Sequence, residues 1–320
     1  QSLLNFKAFT NDKIKTDYKN FLESINTVDA DISLNLANSL WLHEPLAKLV
    51  KESYKESIKQ NFLSEVFLQD LLLPQAVKDI NNWISGKTNQ KITNMLDSVP
   101  KEILLYLINA IYFKGTWTYQ FEKEQTTEEF FNLLDNSTKQ HSFMTFIDTI
   151  ETEYYKDEEL IGIRLPYGRE KIAFYGFLPA KPENFKGFMQ TLNNEMIEKA
   201  LNNFGKTKVR IKLPKFTIKS EETLQLKEQL ENLGMSRAFV NYNEFEEISK
   251  DTYISRVMHK AFIEVNEAGT EAAAATIVEV SMTTGMMEEP EFIANRPFFF
   301  FIRDDRTGSI LFMGKLVDPS

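Results

Sequence analysis

The twelve residues Glu102–Phe113 (EILLYLINAIYF) limit the folds open to this chain more than any other stretch. They are nearly all apolar and rich in β-formers, and too short for a membrane-spanning helix, which needs about 20 residues. Such a run predicts a central strand covered on both faces. Asn109 interrupts it, and an amide buried there must find partners or cost about 1–3 kcal/mol.

The rest of the chain supplies the layers that such a strand needs. Residues 11–26 place Ile14, Tyr18, Phe21 and Leu22 on one helical face, and residues 46–63 also read as helical. Ile32–Leu42 alternates apolar and polar, as a half-buried strand does. A further helix starts at Pro74, carries Val77, Ile80, Trp83 and Ile84 as its stripe, and stops near Gly86. After Gln140 strands dominate (LIGIRLPYG, KIAFYGFLPA, KVRIKLPKFTI, HKAFIEV, PFFFFIRD and ILFMGKLV), with helical patterns at 187–203 and 221–234. Turn signals such as Asp304-Asp305-Arg306-Thr307-Gly308 separate the strands. The expected class is α+β, with large, mostly antiparallel sheets in one continuous domain over 1–320.

The chain has no cysteine, which excludes disulfides, thiolate metal sites and a cysteine nucleophile. A formal net charge of −9 argues against nucleic acid or an anionic membrane as a general partner. Motif fragments imitate active sites and fail. His43-Glu44-Pro45 lacks the second histidine of a zinc helix, and Ser85-Gly86-Lys87-Thr88 lacks the upstream glycine of a phosphate loop. There is no Gly-x-Ser-x-Gly elbow, and the three histidines, at 43, 141 and 259, are scattered. No active site, metal or cofactor is expected. Lys206, Lys208, Arg210 and Lys212 alternate along one strand face. They could form a strip for a polyanion, but the acidic net charge favours an ordinary solvated face.

Asn266–Phe292 (NEAGTEAAAATIVEVSMTTGMMEEPEF) resists a single assignment. As a strand, its even positions Thr270, Ala272, Ala274, Thr276, Val278, Val280 and Met282 form an uncharged face, while Glu271 and Glu279 take the other. Yet Glu271 to Ala275 is a good helix former and a poor strand former. Pattern alone favours a short surface helix followed by an edge strand.

Several motifs bear on that choice. HKAFIEVNEAGTEAAAAT, followed after a gap by FIANRPFFFFIRDDRTGSILFMGKLVDP, resembles the serpin family. LINAIYFKGTW at 107–117, INNWISGKTNQKI at 80–92 (with Gln90 where glycine is usual) and LPKF at 213–216 resemble it too, in the family's order. The resemblance implies the serpin fold and a suicide inhibitor of serine proteases that is not itself an enzyme. An exposed reactive loop, 267–292, is cut as bait, and residues 270–282 then insert into the main sheet as a strand beside LLYLINAIYF. The small, uncharged residues of the even face suit that move. The alternative is a non-inhibitory serpin acting as a binding or chaperone module, but the hinge carries none of the bulky or proline residues that such members tend to have.

By position, the resemblance assigns Glu267, Gly269, Thr270, Glu271, Ala272, Ala273, Ala274, Ala275 and Thr276 to the hinge. It assigns Asn109 and His259 to the shutter, joined by a hydrogen bond, and Trp117, Lys215 and Glu267 to the breach, with Glu267 and Lys215 as an ion pair. The bait residue falls at Thr283, before Thr284, with Met282 as the alternative. No Arg or Lys occurs from 270 to 290, which favours an elastase-, subtilisin- or chymotrypsin-like target over a trypsin-like one. A monomer in an extracellular or secreted setting is the family expectation. The family's N-terminal helices and its Phe-Ser-Pro-x-Ser segment have no counterpart in these 320 residues, so the expectation is a piece of a longer chain.

Overall fold

Helix α1 (Asn11–Ile25) begins where Thr10 Oγ1 accepts the Lys13 N–H at 3.2 Å, and it buries Leu22 and Ile25. The computed structural model that shows this describes residues 9–319 other than 26, 102, 183–184, 220–223, 241–244, 247, 251–252, 255–256, 261 and 270–288. Its contacts group the chain into two compact units, each drawn from three stretches. The first holds residues 1–28, 33–113 and 218–263, and the second holds 29–32, 114–217 and 264–320. Because both are assembled from distant stretches, no composition shift in the sequence marks them.

In the first unit, β1 (Ile32–His43) leads through a 3-10 turn and α2 (Glu52–Phe62) to β2 (Ser64–Gln69), which pairs parallel to β1. A parallel pair needs a crossover of this kind. The single helix expected over 46–63 is broken at Val50 and Lys51, both extended. Helix α3 (Pro74–Lys87) follows, with Pro74 in its first turn. Then comes β3 (Leu105–Gly115), and the sheet order is β2-β1-β3. Ala76, Ile80 and Ile84 of α3 share a core with Trp41, Tyr106 and Ile108.

The double coverage expected for the apolar run does not hold. Tyr106 and Ile108 are buried, whereas Leu107 is 56 % exposed and Asn109 is exposed beside it. Asn109 Nδ2 donates to Asn38 Oδ1 of β1 at 2.8 Å, so the amide is satisfied at the surface and the burial cost foreseen for it does not arise.

The second unit is built on nine strands. β4 (Thr127–Asn132), β5 (Thr138–Thr145), β6 (Ile150–Lys156), β7 (Leu160–Tyr167), β8 (Ile172–Pro179) and β9 (Gly205–Pro214) come first, with α4 (Phe185–Thr191) and α5 (Asn194–Asn203) between the last two. The chain then passes through β10 (Phe216–Lys219), β11 (Leu224–Gln225), α6 (Lys227–Leu230), β12 (Met258–His259) and β13 (Phe262–Val265). It ends with β14 (Glu291–Ile293), β15 (Phe298–Asp304) and β16 (Ser309–Leu316). The curled sheet runs β16-β15-β8-β7-β6-β9-β5-β4, all antiparallel, and β14 joins β9 in parallel. Phenylalanines fill it. Phe300 stacks on Phe174 at 5.4 Å and lies across Gly314 of β16, where a Cβ would come within 2.9 Å of the ring. The helical pattern at 187–203 divides because Asn193 caps α5, its side chain accepting the Met196 N–H. The strand-rich class read from the sequence is present.

Candidate functional site

The candidate site is the turn from which the chain leaves toward residue 270. Asn266 and Gly269 close it reciprocally: Asn266 N–H donates to Gly269 O at 2.9 Å, and Gly269 N–H donates to Asn266 O at 3.1 Å. The Asn266 side chain accepts the Ala268 N–H at 3.1 Å, the habit that makes Asn a turn former. Gly269 sits at φ +121°, and a Cβ there would meet Gly115 O at 2.2 Å and Trp117 N at 2.6 Å. No other residue fits that position without moving backbone.

Trp117 holds the turn from the side. Its Nε1 donates to Asn266 O at 2.9 Å and its backbone N–H to Ala268 O at 3.0 Å. The indole is buried, stacked on Tyr167 at 4.3 Å and 10°, with Phe121 and Phe174 edge-on. Rings in these arrangements contribute beyond their buried area.

Glu267 is the charged member of the turn and is buried, 5 % exposed. Its Oε1 lies 3.0 Å from Lys215 Nζ and accepts from Thr126 Oγ1 at 2.8 Å. Its main chain is held as well, since Phe121 N–H donates to Glu267 O at 3.0 Å. Burial by itself pushes the Glu267 carboxyl up. Its own backbone N–H, Lys215 and Thr126 outweigh that and hold it below the usual carboxylate range. His141 Nε2 lies 2.5 Å from Lys215 O, just past the end of β9.

The far end of the stretch is anchored too. Pro290 O accepts the Arg210 N–H at 2.9 Å, β14 pairs with β9 from Glu291 to Ile293, and Phe292 is fully buried. Residues 270–288 therefore run between two fixed points of the second unit.

The residues assigned from the sequence fall into three groups. Trp117, Lys215, Glu267 and Gly269 meet at this turn, with the ion pair expected for Lys215 and Glu267. Asn109 and His259 are not joined. Among the described residues no hydrogen bond links them, Asn109 pairs with Asn38, and His259 is half-buried on β12, paired with Leu224. Burial holds the His259 imidazole below its ordinary range. Thr270, Glu271, Ala272, Ala273, Ala274, Ala275, Thr276, Met282, Thr283 and Thr284 lie outside the described residues.

Sequence reasoning missed Asn266, Thr126 and Tyr167. Asn266 was discoverable, because Asn three residues before Gly is a turn signal. Thr126 and Tyr167 stand far away in sequence and carry no such mark. The alternating basic strip on β9 is offset by acids. Glu151 and Glu153 sit opposite Lys208 and Lys206, Lys212 pairs with Glu129 at 2.6 Å, and Arg210 lies near Glu289 and Glu291. That is the solvated face favoured from the net charge.

Comparison with known proteins agrees with this geometry. The family model described as serpin (serine protease inhibitor) matches residues 1–319. Serpin B10 of Bos taurus is 31 % identical over 325 residues, which cover 99 % of this chain and 81 % of that protein. An uncharacterised serpin-like protein of Thermococcus kodakarensis is 35 % identical over 292 residues, 89 % of this chain and 66 % of that one. Among solved structures, the thermophilic serpin tengpin in its native state superposes with a TM-score of 0.85 at 28 % identity, covering 98 % of this chain and 80 % of its own.

Proposed function

The chain belongs to the serpin family, and from that premise we propose that it is a suicide inhibitor of serine proteases rather than an enzyme. One observation carries the reading: the fixed turn Asn266–Gly269 opens directly onto Thr270–Thr276, whose side chains on the even face are small and uncharged. A rigid hinge followed by a stretch able to serve as a strand is what loop insertion requires. Among the described residues β3, eleven residues long, ends its sheet, which supports the reading further, because an outer edge of this kind can take another strand.

In this mechanism the protease serine attacks the Thr283 carbonyl. The bond to Thr284 breaks, its amine leaves with the proton delivered by the protease, and an ester joins Thr283 to the enzyme. Residues 270–282 then insert before the ester can hydrolyse. The shutter assignment of Asn109 and His259, without the hydrogen bond between them, and the hinge assignment from Glu267 to Thr276 are part of this proposal. The lack of Arg and Lys from 270 to 290 fits a protease with a small or apolar primary pocket.

Mixing the protein with elastase, subtilisin, chymotrypsin and trypsin should produce an SDS-stable complex with at least one of the first three. The released peptide should begin at Thr284, or at Thr283 if Met282 is the bait. A peptide beginning upstream of Val280 would sink the assignment, because the inserted strand would be too short. Cleavage without any complex would favour a non-inhibitory serpin. Thr270→Arg should convert inhibitor to substrate, since an unpaired cation on the buried face costs several kcal/mol. Glu271→Arg, on the other face, should do much less. Equal damage from both would rule out the assigned register.

A further inference from the structure

The groove between β2 and α3 plays no part in the loop chemistry, and its make-up is that of a ligand site. It is an open cavity of about 490 Å³, within the range of small-molecule sites. Trp41, 4 % exposed, forms its floor and stacks on Phe67 at 4.1 Å and 18°. Trp83 stands edge-on to Phe67 at 6.3 Å. Phe67 and Trp83 are half-buried, so part of each ring remains open. Gln69, Asp79 and Asn82 complete the lining.

Asp79, Asn82 and Trp83 share one face of α3, being three and four residues apart. The Asp79 carboxylate is oriented by two neutral amides: Gln69 Nε2 donates to one oxygen at 2.6 Å and Gln75 Nε2 to the other at 2.8 Å. These donors fix its direction without cancelling its charge. Lys87, one turn beyond Trp83, pairs with Glu65 at 2.5 Å and lies 5.9 Å over the Trp83 ring, and Glu65 also accepts from Trp83 Nε1 at 3.2 Å. Lys78 is exposed and adjacent in sequence, and successive helical positions point about 100° apart. Among the described residues no ion pair neutralises Asp79.

We propose that this groove binds a small organic cation with a flat apolar body, such as a protonated arylalkylamine. Asp79 takes the charge, and Trp41, Phe67 and Trp83 take the ring. Aromatic faces attract a cation through their quadrupole, and a fixed carboxylate at the edge sets its orientation. A neutral ligand of the same shape would gain the ring contacts alone. The site is independent of the inhibitory reading.

The protein has three tryptophans, at 41, 83 and 117, so ¹⁵N-indole labelling yields three N–H reporters, two in the groove and one at the hinge turn. Phenethylammonium at pH 7 should shift the Trp41 and Trp83 signals saturably, with a Kd of about 1 mM or below, and leave Trp117 in place. 2-Phenylethanol and phenylacetate, its neutral and anionic counterparts, should bind at least about tenfold more weakly. Asp79→Asn keeps one acceptor oxygen, for Gln69, and exposed Gln75 can turn its amide to accept from the new N–H, so the variant should lose about tenfold in affinity with little change in melting temperature. Equal binding of phenethylammonium and phenylethanol by the unaltered protein would overturn the proposal, whatever the variant does. So would a Trp117 shift equal to the other two, or no saturable shift up to about 10 mM.

Discussion

The two largest sheets among the described residues differ in how completely their strands are used. In the second unit, nine strands share a ladder and many of its phenylalanines are packed out of solvent: Phe174, Phe177, Phe292, Phe298, Phe300 and Phe301 are each 0–1 % exposed. In the first unit, among the described residues, three strands form the larger sheet, and β3 ends it with Leu107 and Asn109 on an exposed face. A closed aromatic core resists change because any shift forfeits many contacts. A short sheet with a long edge strand has something left to gain. The proposed inhibitory reaction draws on the first unit's sheet, while Gly269 and Pro290, on either side of 270–288, are each held by second-unit residues.

The largest test of this contrast is a single cut between Thr283 and Thr284. If the first unit's sheet gains a strand, the melting temperature should rise by roughly ten degrees or more, as several kcal/mol would give. An unchanged value in differential scanning calorimetry would mean that the sheet is not the acceptor.

Next in size are truncations on either side of the comparison. Phe300→Ala should cost about 3–5 kcal/mol in chemical denaturation, because it removes the stack on Phe174 and leaves a void over Gly314. Leu107→Ala, on the exposed face of β3, should cost under about 1 kcal/mol. Comparable losses would show that β3 is as buried as the phenylalanine sheet.

The hinge turn lies between these extremes. Gly269→Ala should destabilise by about 1–3 kcal/mol, since its Cβ would strike Gly115 O and its φ of +121° is strained for any side chain. Gly205→Ala, with open space around its Cβ, is the control and should change little.

The smallest effect is a pH dependence. The folded-state pKa of Glu267 is held below its unfolded value of about 4.3. Its contribution is therefore complete above about pH 4.3 and is lost as the pH falls through the folded value. Glu267→Gln should cost about 1 kcal/mol at neutral pH, as Lys215 is partly exposed. The gap from the parent should close on acidification. A gap independent of pH would show that the carboxylate's charge contributes nothing to the turn.

Much of the turn Asn266–Gly269 was legible because its residue types admit few alternatives. Glu267, Gly269, Trp117 and Lys215 carried the family pattern, and the small residues after Gly269 marked a stretch fit for two settings. The strand β2 was hidden because SEVFLQ carries only a weak alternation beside the long helical pattern before it. β4 and β6 were missed as well, since charged and aromatic residues on TEEFFN and IETEYYK blur the period of two.

The sequence by itself determined the α+β class, the order of most elements, the family, and the residues that meet at the hinge turn. Periodicity and residue type are local properties, and short motifs report them directly. Only the tertiary structure decided that Asn109 answers to Asn38 and not His259, and that Leu107 faces solvent. It likewise decided that Thr126 and Tyr167 support a turn some 140 and 100 residues further along the chain. Such partners are chosen by which strands come to lie side by side, and no single stretch of the chain encodes that adjacency.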